Sequence, residues 1–130
     1  MDSNILIYLH SKETDKRLAV QNLLATHHDF YISTQVLFEF ANVMHKKFKI
    51  DYAMLKIAIQ DFNNAFNIET ITYATMVKSL EVATRYKYSL PDSLIVATAL
   101  QCDSVALVTE DMHSGQQIAE SLQIINPFML

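Results

Sequence analysis

The sequence predicts an α/β domain in which a parallel sheet carries helices on both faces, and three observations support this prediction. Long helix-like segments alternate with short β-branched or aromatic ones, the order expected when each helix connects two parallel strands. The run SVALVT is apolar throughout, as in a strand that is covered on both faces. At 130 residues the chain suits one core, so we expect residues 1–130 to form a single domain.

Two helices are expected before the first clear strand. The opening segment, DSNILIY, predicts an apolar helix that begins beside Asp2. A second helix is expected from about Asp15 to Thr26, where Leu18, Leu23 and Leu24 recur at near-helical spacing.

The middle of the chain predicts a strand, two longer helices and a second strand. After the strand FYIST, Ser33 or Thr34 can cap the helix QVLFEFANVMHKKF. Asp51 can cap the following helix, which should run to about residue 66, and NIETI is the next strand.

The last third of the chain continues the alternation. A helix is predicted from Tyr73 to Tyr86, followed by the helix SLPDSLIVATALQC, whose Pro91 falls in the first turn, where a missing N–H is harmless. The strand SVALVT comes next. A short helix around Gln116 to Ser121 and a final strand in QIINPF complete the prediction.

The composition excludes several enzyme classes and indicates a compartment. A single glycine, Gly115, rules out dinucleotide fingerprints, phosphate-binding loops and nucleophile elbows, which need more than one glycine. One cysteine, Cys102, fits a reducing environment. Since the sequence suggests neither a secretory signal nor a membrane span, we expect the protein to be cytoplasmic. A net charge of -4 gives no general attraction to nucleic acid, although a local basic patch can still bind phosphates.

Four acidic residues stand at abrupt junctions with apolar segments. Asp2 begins the first apolar segment, Glu39 interrupts VLFEFANV, Asp92 opens the helix PDSLIVATAL, and Asp111 follows the strand SVALVT. In an open parallel sheet, functional residues gather beyond the carboxyl ends of the strands, so we expect these acids to converge there.

Each acid taken alone has an ordinary structural explanation. Glu39 can reach water from the boundary of an amphipathic face, although its apolar neighbours suggest a cleft that supplies a donor or a cation. Asp92 is favoured by the helix dipole, and Asp111 can be a turn residue with Glu110 as its competitor. As a set they would repel one another unless cations neutralise them, and hard oxygen ligands suit Mg²⁺ or Mn²⁺.

The same segments carry a resemblance to a known family. DSNILIY, LFEFANV, LPDSLIVATAL, and VALVTEDMHSGQ followed by INPF closely resemble the PIN-domain ribonucleases, and in length and order they look like VapC-type toxins of bacterial toxin-antitoxin pairs. The resemblance extends over essentially the whole chain. It implies a three-layer α/β/α fold, metal-dependent endonucleolytic cleavage of RNA, dimerisation, and inhibition by a cognate antitoxin.

The resemblance also implies roles for individual residues. Asp2 and Asp92 would be the principal ligands of Mg²⁺ or Mn²⁺, and Glu39 and Asp111 would complete the catalytic acidic cluster. Asn4 matches the polar position that orients the first acid, and Thr109 matches the hydroxyl position before the last one.

One departure from the family's pattern concerns the first strand. In the family the first acid ends a central apolar strand, whereas here only Met1 precedes Asp2. We therefore expect the first strand to be truncated, which would leave a gap in the sheet and place Asp2 poorly.

Two rival functions remain open from the sequence. A catalytically impaired PIN-like protein would act only as an antitoxin- or protein-binding module. A phosphatase- or receiver-like α/β domain would instead form a covalent aspartyl phosphate, which trapping with a phosphate mimic would distinguish from a nuclease.

Overall fold

The chain forms three layers, α/β/α, as the sequence predicts. A computed structural model describes residues 5–7, 14–26, 30–102, 106–108, 117–118, 122–126 and 128. Residues 5–7 form a helical turn, in agreement with the apolar helix expected in the opening segment. Beyond that turn, the described helices are α1 (Thr14–Thr26), α2 (Thr34–Phe48), α3 (Tyr52–Ala65), α4 (Tyr73–Tyr86) and α5 (Leu90–Gln101), and the described strands are β1 (Tyr31–Ser33), β2 (Asn67–Glu69), β3 (Ala106–Val108), β4 (Gln117–Ile118) and β5 (Leu122–Ile125).

The described strands pair in two groups. β1 and β2 are parallel, with Ile32 opposite Ile68. In the second group the order is β3-β5-β4, with β3 parallel to β5 and β4 antiparallel to it. Helix α5 contacts both β1 and β3, so the two groups share one covering helix. The predicted truncation of a first strand concerns residues 1–4, which lie outside the described residues, and it stays a prediction.

Strand β4 corrects the expectation of a short helix around Gln116 to Ser121. Gln117 and Ile118 are extended and pair with Gln123 and Leu122 of β5. Ile118 is fully buried in this arrangement. A strand this short depends on its partner strand rather than on local preference, so a local pattern does not reveal it.

Side-chain caps fix where the helices begin. Ser33 Oγ accepts a hydrogen bond from the Val36 N–H at 3.1 Å, and Asp51 Oδ1 accepts one from the Met54 N–H at 2.9 Å. Both caps agree with the sequence prediction, and Ser33 rather than Thr34 caps α2. Such a cap contributes about 1 kcal/mol, because it satisfies an N–H that has no partner within the helix.

Lysines end two of the helices where glycine is more usual. Lys49 after α2 and Lys87 after α4 take left-handed backbone angles, with φ of 60° and 62°. The Lys87 N–H still donates to the carbonyl of Ala83 at 3.0 Å, so the helix end is satisfied.

The core lies between the helices and both strand groups. Its buried side chains include Ile32 of β1, Phe40 of α2, Phe62 of α3, Val96 of α5 and Leu107 of β3.

Helix α1 buries only part of the apolar set that the sequence places at near-helical spacing. Val20 and Leu23 are buried against Ile5, and Leu24 is partly buried, whereas Leu18 is 47% exposed. Leu18 therefore lies outside the buried face of α1. Val20 is buried with Ile5 and Leu23 in a small separate cluster, because residues two positions apart point to different faces of a helix.

Helices α4 and α5 form an antiparallel hairpin. Only residues 87–89 separate them, and the hydroxyl of Thr75 near the start of α4 donates to Gln101 Oε1 at the end of α5. Ser79 of α4 and Ser93 of α5 are fully buried. Small side chains of this kind allow the two helices to pack closely. The hairpin therefore gives α5, and Asp92 near its start, a firm support.

Candidate active site

Glu39 lies half-buried on α2 and has the hydrogen-bond donor that its surroundings demand. Its neighbours point to opposite environments, with Phe38 73% exposed and Phe40 1% exposed. Gln35, one turn earlier on the same helix, donates from Nε2 to Glu39 Oε1 at 3.1 Å. Glu39 therefore sits at the edge of the core, where its carboxylate is both supported by the protein and within reach of water.

Gln35 also joins this helix to the start of α5. The same Nε2 atom donates to the carbonyl oxygen of Pro91 at 3.1 Å. Because the same nitrogen donates both hydrogen bonds, the two acceptors are close to each other. Glu39 Oε1 and the carbonyl oxygen of Pro91, the residue before Asp92, lie within two hydrogen-bond lengths. Gln35 thus joins the helix that carries Glu39 to the first turn of the helix that carries Asp92.

Asp92 lies in the first turn of α5, half-buried. Ser89 caps that helix, with its Oγ accepting from the Asp92 N–H at 3.3 Å. A carboxylate in this position is stabilised by the positive end of the helix dipole. Ser89 rather than Asp92 is therefore the cap, and the position of Asp92 in the first turn agrees with the helix-dipole explanation.

The carboxyl ends of β1 and β2 support the same region. Helix α2 begins directly after β1, and the hydroxyl of Thr34 accepts a hydrogen bond from the Ile71 N–H, beyond the end of β2, at 3.1 Å. Gln35 is the next residue along the chain. The contact between α2 and α5 therefore lies at the edge of the parallel pair where ligands usually bind in α/β sheets.

An aromatic pair and a cation lead from the surface toward Asp92. The Arg85 guanidinium lies 5.1 Å from the ring centroid of Tyr86, and the rings of Tyr86 and Tyr88 stack with centroids 6.3 Å apart. Burial raises the pKa of the Tyr88 hydroxyl, and the negative charge of Asp92 raises this pKa further, with Tyr86 adding to the effect. Tyr88 thus remains a neutral hydroxyl at physiological pH and feels the charge of Asp92.

The pKa of Tyr88 is expected to report the charge at position 92. Asp92→Asn should lower this pKa only part of the way toward 10.0, because burial, the largest cause, remains. Ultraviolet titration of tyrosinate, with Tyr88→Phe to assign the signal and Asp61→Asn as a control at an exposed acid, measures this change. An unchanged Tyr88 titration in Asp92→Asn would contradict the proximity of the two groups.

The raised pKa of Tyr88 also makes the stability of the fold depend on pH. Because the folded chain holds the Tyr88 proton more tightly than the unfolded chain, this group stabilises the fold fully below the ordinary tyrosine pKa of about 10. The contribution is lost as the pH rises through the higher pKa of the folded state.

Four of the predicted site residues lie outside the described part of the chain. These are Asp2, Asn4, Thr109 and Asp111. Among the residues that the structure does describe, no group of three or more histidine, cysteine, aspartate or glutamate side chains is arranged to hold a metal ion. The described half of the predicted cluster consists of Glu39 and Asp92. The sequence did not point to Gln35, whose only local signal is its position one helical turn before Glu39.

A family model for the PIN domain matches residues 1–114 of the chain. The chain belongs to the PIN domain family. PIN domains are generally nucleases and generally use divalent metals. The match covers the segments that contain Asp2, Glu39, Asp92 and Asp111.

A solved structure shows the same fold as this PIN domain. It is titled a toxin-antitoxin complex from Klebsiella pneumoniae, and the two chains align with a TM-score of 0.72 and 24% sequence identity. The alignment covers 97% of this chain and 94% of that chain. No curated protein matches the sequence significantly.

The described residues of this PIN domain fit a divalent cation. Carboxylate oxygens from α2 and α5 are the hard ligands that Mg²⁺ and Mn²⁺ prefer. Two buried oxygens, Gln35 Oε1 and Ser93 Oγ, lack a hydrogen-bond partner within the described ranges. Gln35 is the residue that contacts Pro91, and Ser93 directly follows Asp92. A buried polar oxygen without a partner is costly, and a hydrated cation carries water that can donate to such oxygens.

None of the helices that the structure describes is long and apolar enough to cross a bilayer.

Proposed function

We propose that this PIN domain is a Mg²⁺- or Mn²⁺-dependent endoribonuclease and the VapC-like toxin of a toxin-antitoxin pair. The observation that carries the proposal is the contact made by Gln35, which joins the helix of Glu39 to the start of the helix of Asp92. Family membership and the fold shared with a toxin-antitoxin complex support it. The proposal includes a single domain over all 130 residues.

The proposed chemistry is hydrolysis of an RNA phosphodiester bond. Asp2, Glu39, Asp92 and Asp111 would hold the cation, with Asn4 and Thr109 orienting the first and last acids. A divalent cation bound there supplies positive charge against the phosphodiester and lowers the pKa of water. Of the described residues, Glu39 and Asp92 hold their carboxylates at the carboxyl edge of β1 and β2, and one carboxylate of the cluster accepts the proton of the attacking water.

The groups in the last turn of α4 and just after it offer a path for RNA to this site. Arg85 and Lys87 are exposed cations close to Asp92 along the chain, and such groups bind phosphates without reading sequence. The stacked pair of Tyr86 and Tyr88 presents aromatic rings of the kind on which bases stack. A chain of net charge -4 needs such a local feature to bring RNA toward a cluster of acids.

Cleavage of a structured RNA by the purified chain is the experiment that tests the proposal. We expect cleavage with Mn²⁺ and none with EDTA, and a variant that lacks a carboxylate of the site controls for contaminating nucleases. If a folded chain that binds Mn²⁺ leaves the RNA intact, the endoribonuclease proposal is wrong. The protein-binding module then becomes the better explanation.

The proposed partner is a cognate antitoxin protein. The solved structure that shares this fold is titled a toxin-antitoxin complex, which supports a protein inhibitor here as well. Expression of the chain in a bacterial host should arrest growth, and co-expression of the antitoxin should restore it. A toxin that cleaves RNA and an antitoxin that restrains it imply the cytoplasm as their compartment.

A homodimer is also part of the proposal, and α4 offers a surface for it. The face of α4 opposite the core carries Tyr73, Met76, Val77 and Leu80, which are 86%, 41%, 42% and 56% exposed. These positions follow the i, i+3, i+4, i+7 pattern of a continuous stripe. A contiguous apolar stripe on a helix already packed on its other side is typical of a protein interface.

Replacement of Leu80 in this stripe should disrupt the dimer. Leu80→Glu places a charge in the proposed apolar interface, so we expect the molar mass from light scattering to fall from that of two chains to that of one. Leu18→Glu on α1, where the leucine is similarly exposed at 47%, serves as the matched control and should leave the dimer intact. A Leu80→Glu protein that still has the mass of two chains would remove α4 from the interface.

A further inference from the structure

Gln35 stands out as a polar residue that touches both halves of the described site. Its side chain is half-buried on α2, and its amide nitrogen lies 3.1 Å from Glu39 Oε1 and 3.1 Å from the carbonyl oxygen of Pro91. The second bond connects residues 56 positions apart in sequence.

The orientation of this amide is fixed by chemistry. Both neighbouring oxygens are acceptors, and an amide NH₂ group has two hydrogens to donate, one for each. A flipped amide would place Oε1 against two other acceptor oxygens. The observed orientation uses both donors fully and leaves Oε1 buried, with no partner among the residues that the structure describes.

This geometry ties the position of one acid to that of the other. The Glu39 carboxylate is held by Gln35, and Gln35 is held by the backbone of the first turn of α5, where Asp92 follows Pro91 directly. A carboxylate on a long side chain otherwise samples several rotamers, and ordering it costs free energy when a cation binds. A bridge that orders it beforehand raises the affinity for the cation.

We propose that Gln35 is a positioning residue that fixes the Glu39 carboxylate relative to Asp92 for binding of Mg²⁺ or Mn²⁺. This inference rests on the proposed function of the same site, and it adds a residue that is not itself an acid. Outer partners that orient a metal-binding carboxylate typically change metal affinity by about 10- to 100-fold when they are removed.

The test replaces the amide by a side chain of similar length without donors. Gln35→Met should weaken Mn²⁺ binding, measured directly by electron paramagnetic resonance titration, by about tenfold or more. In RNA cleavage it should raise the Mn²⁺ concentration needed for half-maximal rate, and excess Mn²⁺ should restore much of the rate. Gln60→Met, at an exposed glutamine of α3, is the matched control and should bind Mn²⁺ as the unaltered chain does.

A double-mutant cycle separates positioning from a general structural role. If Gln35 acts through Glu39, Gln35→Met should add little further loss of Mn²⁺ affinity to a chain that already carries Glu39→Gln. Additive losses would instead show that Gln35 acts elsewhere, and the inference would be overturned. Circular dichroism and thermal unfolding of each variant establish that the comparison is made between folded proteins.

A second variant keeps the inference testable if Gln35→Met fails to fold. Gln35→Asn retains an amide but is one methylene too short to reach both acceptors, so we expect the same weakening of Mn²⁺ binding. Unchanged Mn²⁺ affinity in either folded variant, with an unaltered chain that binds Mn²⁺ and cleaves RNA, would refute the role of Gln35 alone. An unaltered chain that neither binds Mn²⁺ nor cleaves RNA would refute the proposed function and this inference with it.

Discussion

Asp92→Asn is expected to reduce RNA cleavage by roughly two orders of magnitude or more, because a metal-binding carboxylate contributes several kcal/mol to stabilising the transition state. The substitution keeps the size and shape of the side chain and removes its charge. Cleavage should be followed at saturating RNA over a range of Mn²⁺ concentrations. The loss should persist at high Mn²⁺ concentration, unlike the loss expected when Gln35 is replaced.

The fold should survive this change. Asp92 stands in the first turn of a helix that Ser89 caps, and loss of the interaction between its charge and the helix dipole costs about 0.3–1 kcal/mol. Asp61→Asn, at an exposed acid of α3, is the matched control and should cleave RNA at the unaltered rate. Equal cleavage by the Asp92→Asn and Asp61→Asn proteins would exclude Asp92 from the site.

Phe40→Ala is expected to destabilise the protein by about 3–5 kcal/mol, the usual cost of emptying a buried phenylalanine site. Phe40 is 1% exposed and packs edge-to-face on Phe62, with ring centroids 5.0 Å apart. The substitution removes both the burial and this aromatic contact. Urea unfolding followed by circular dichroism measures the change.

The neighbouring phenylalanine provides a control from the same helix. Phe38 is 73% exposed, so Phe38→Ala should change the free energy of unfolding by no more than about 0.5 kcal/mol. The two substitutions delete the same atoms two residues apart. Similar losses of stability from both would mean that the face of α2 assigned to the core is wrong.

Local signals in the sequence predicted most of the described elements. The helix Tyr73–Tyr86 has the predicted ends, and the strand segments FYIST, NIETI and SVALVT each contain an observed strand. A helix cap depends on one or two neighbouring residues, so the sequence could predict correctly that α3 starts after Asp51. Short strands with β-branched residues between helices likewise leave a clear local pattern.

Features that depend on distant residues were not predictable in this way. The pairing of β4 with β5 and the exposure of Leu18 both depend on which other segments lie opposite. The hydrogen bond from Gln35 to Pro91 is the clearest unpredictable feature of the site, because no local sequence pattern shows which distant residue a helical glutamine contacts. Sequence reasoning located Glu39 and Asp92 as candidates but could not supply the residue that joins them.

The sequence separation of Gln35 and Pro91 affects when their contact can form during synthesis of the chain. Residues 35 and 91 are 56 positions apart, so the contact cannot form on the ribosome until α5 has been synthesised and has emerged. The α4–α5 hairpin, by contrast, closes over a short connection and can form as soon as its own residues are available. If the chain is the RNA-cleaving toxin proposed above, a half-finished copy lacks an assembled site and leaves its own messenger RNA intact. Translation itself would then delay the onset of toxicity until the start of α5 has emerged from the ribosome.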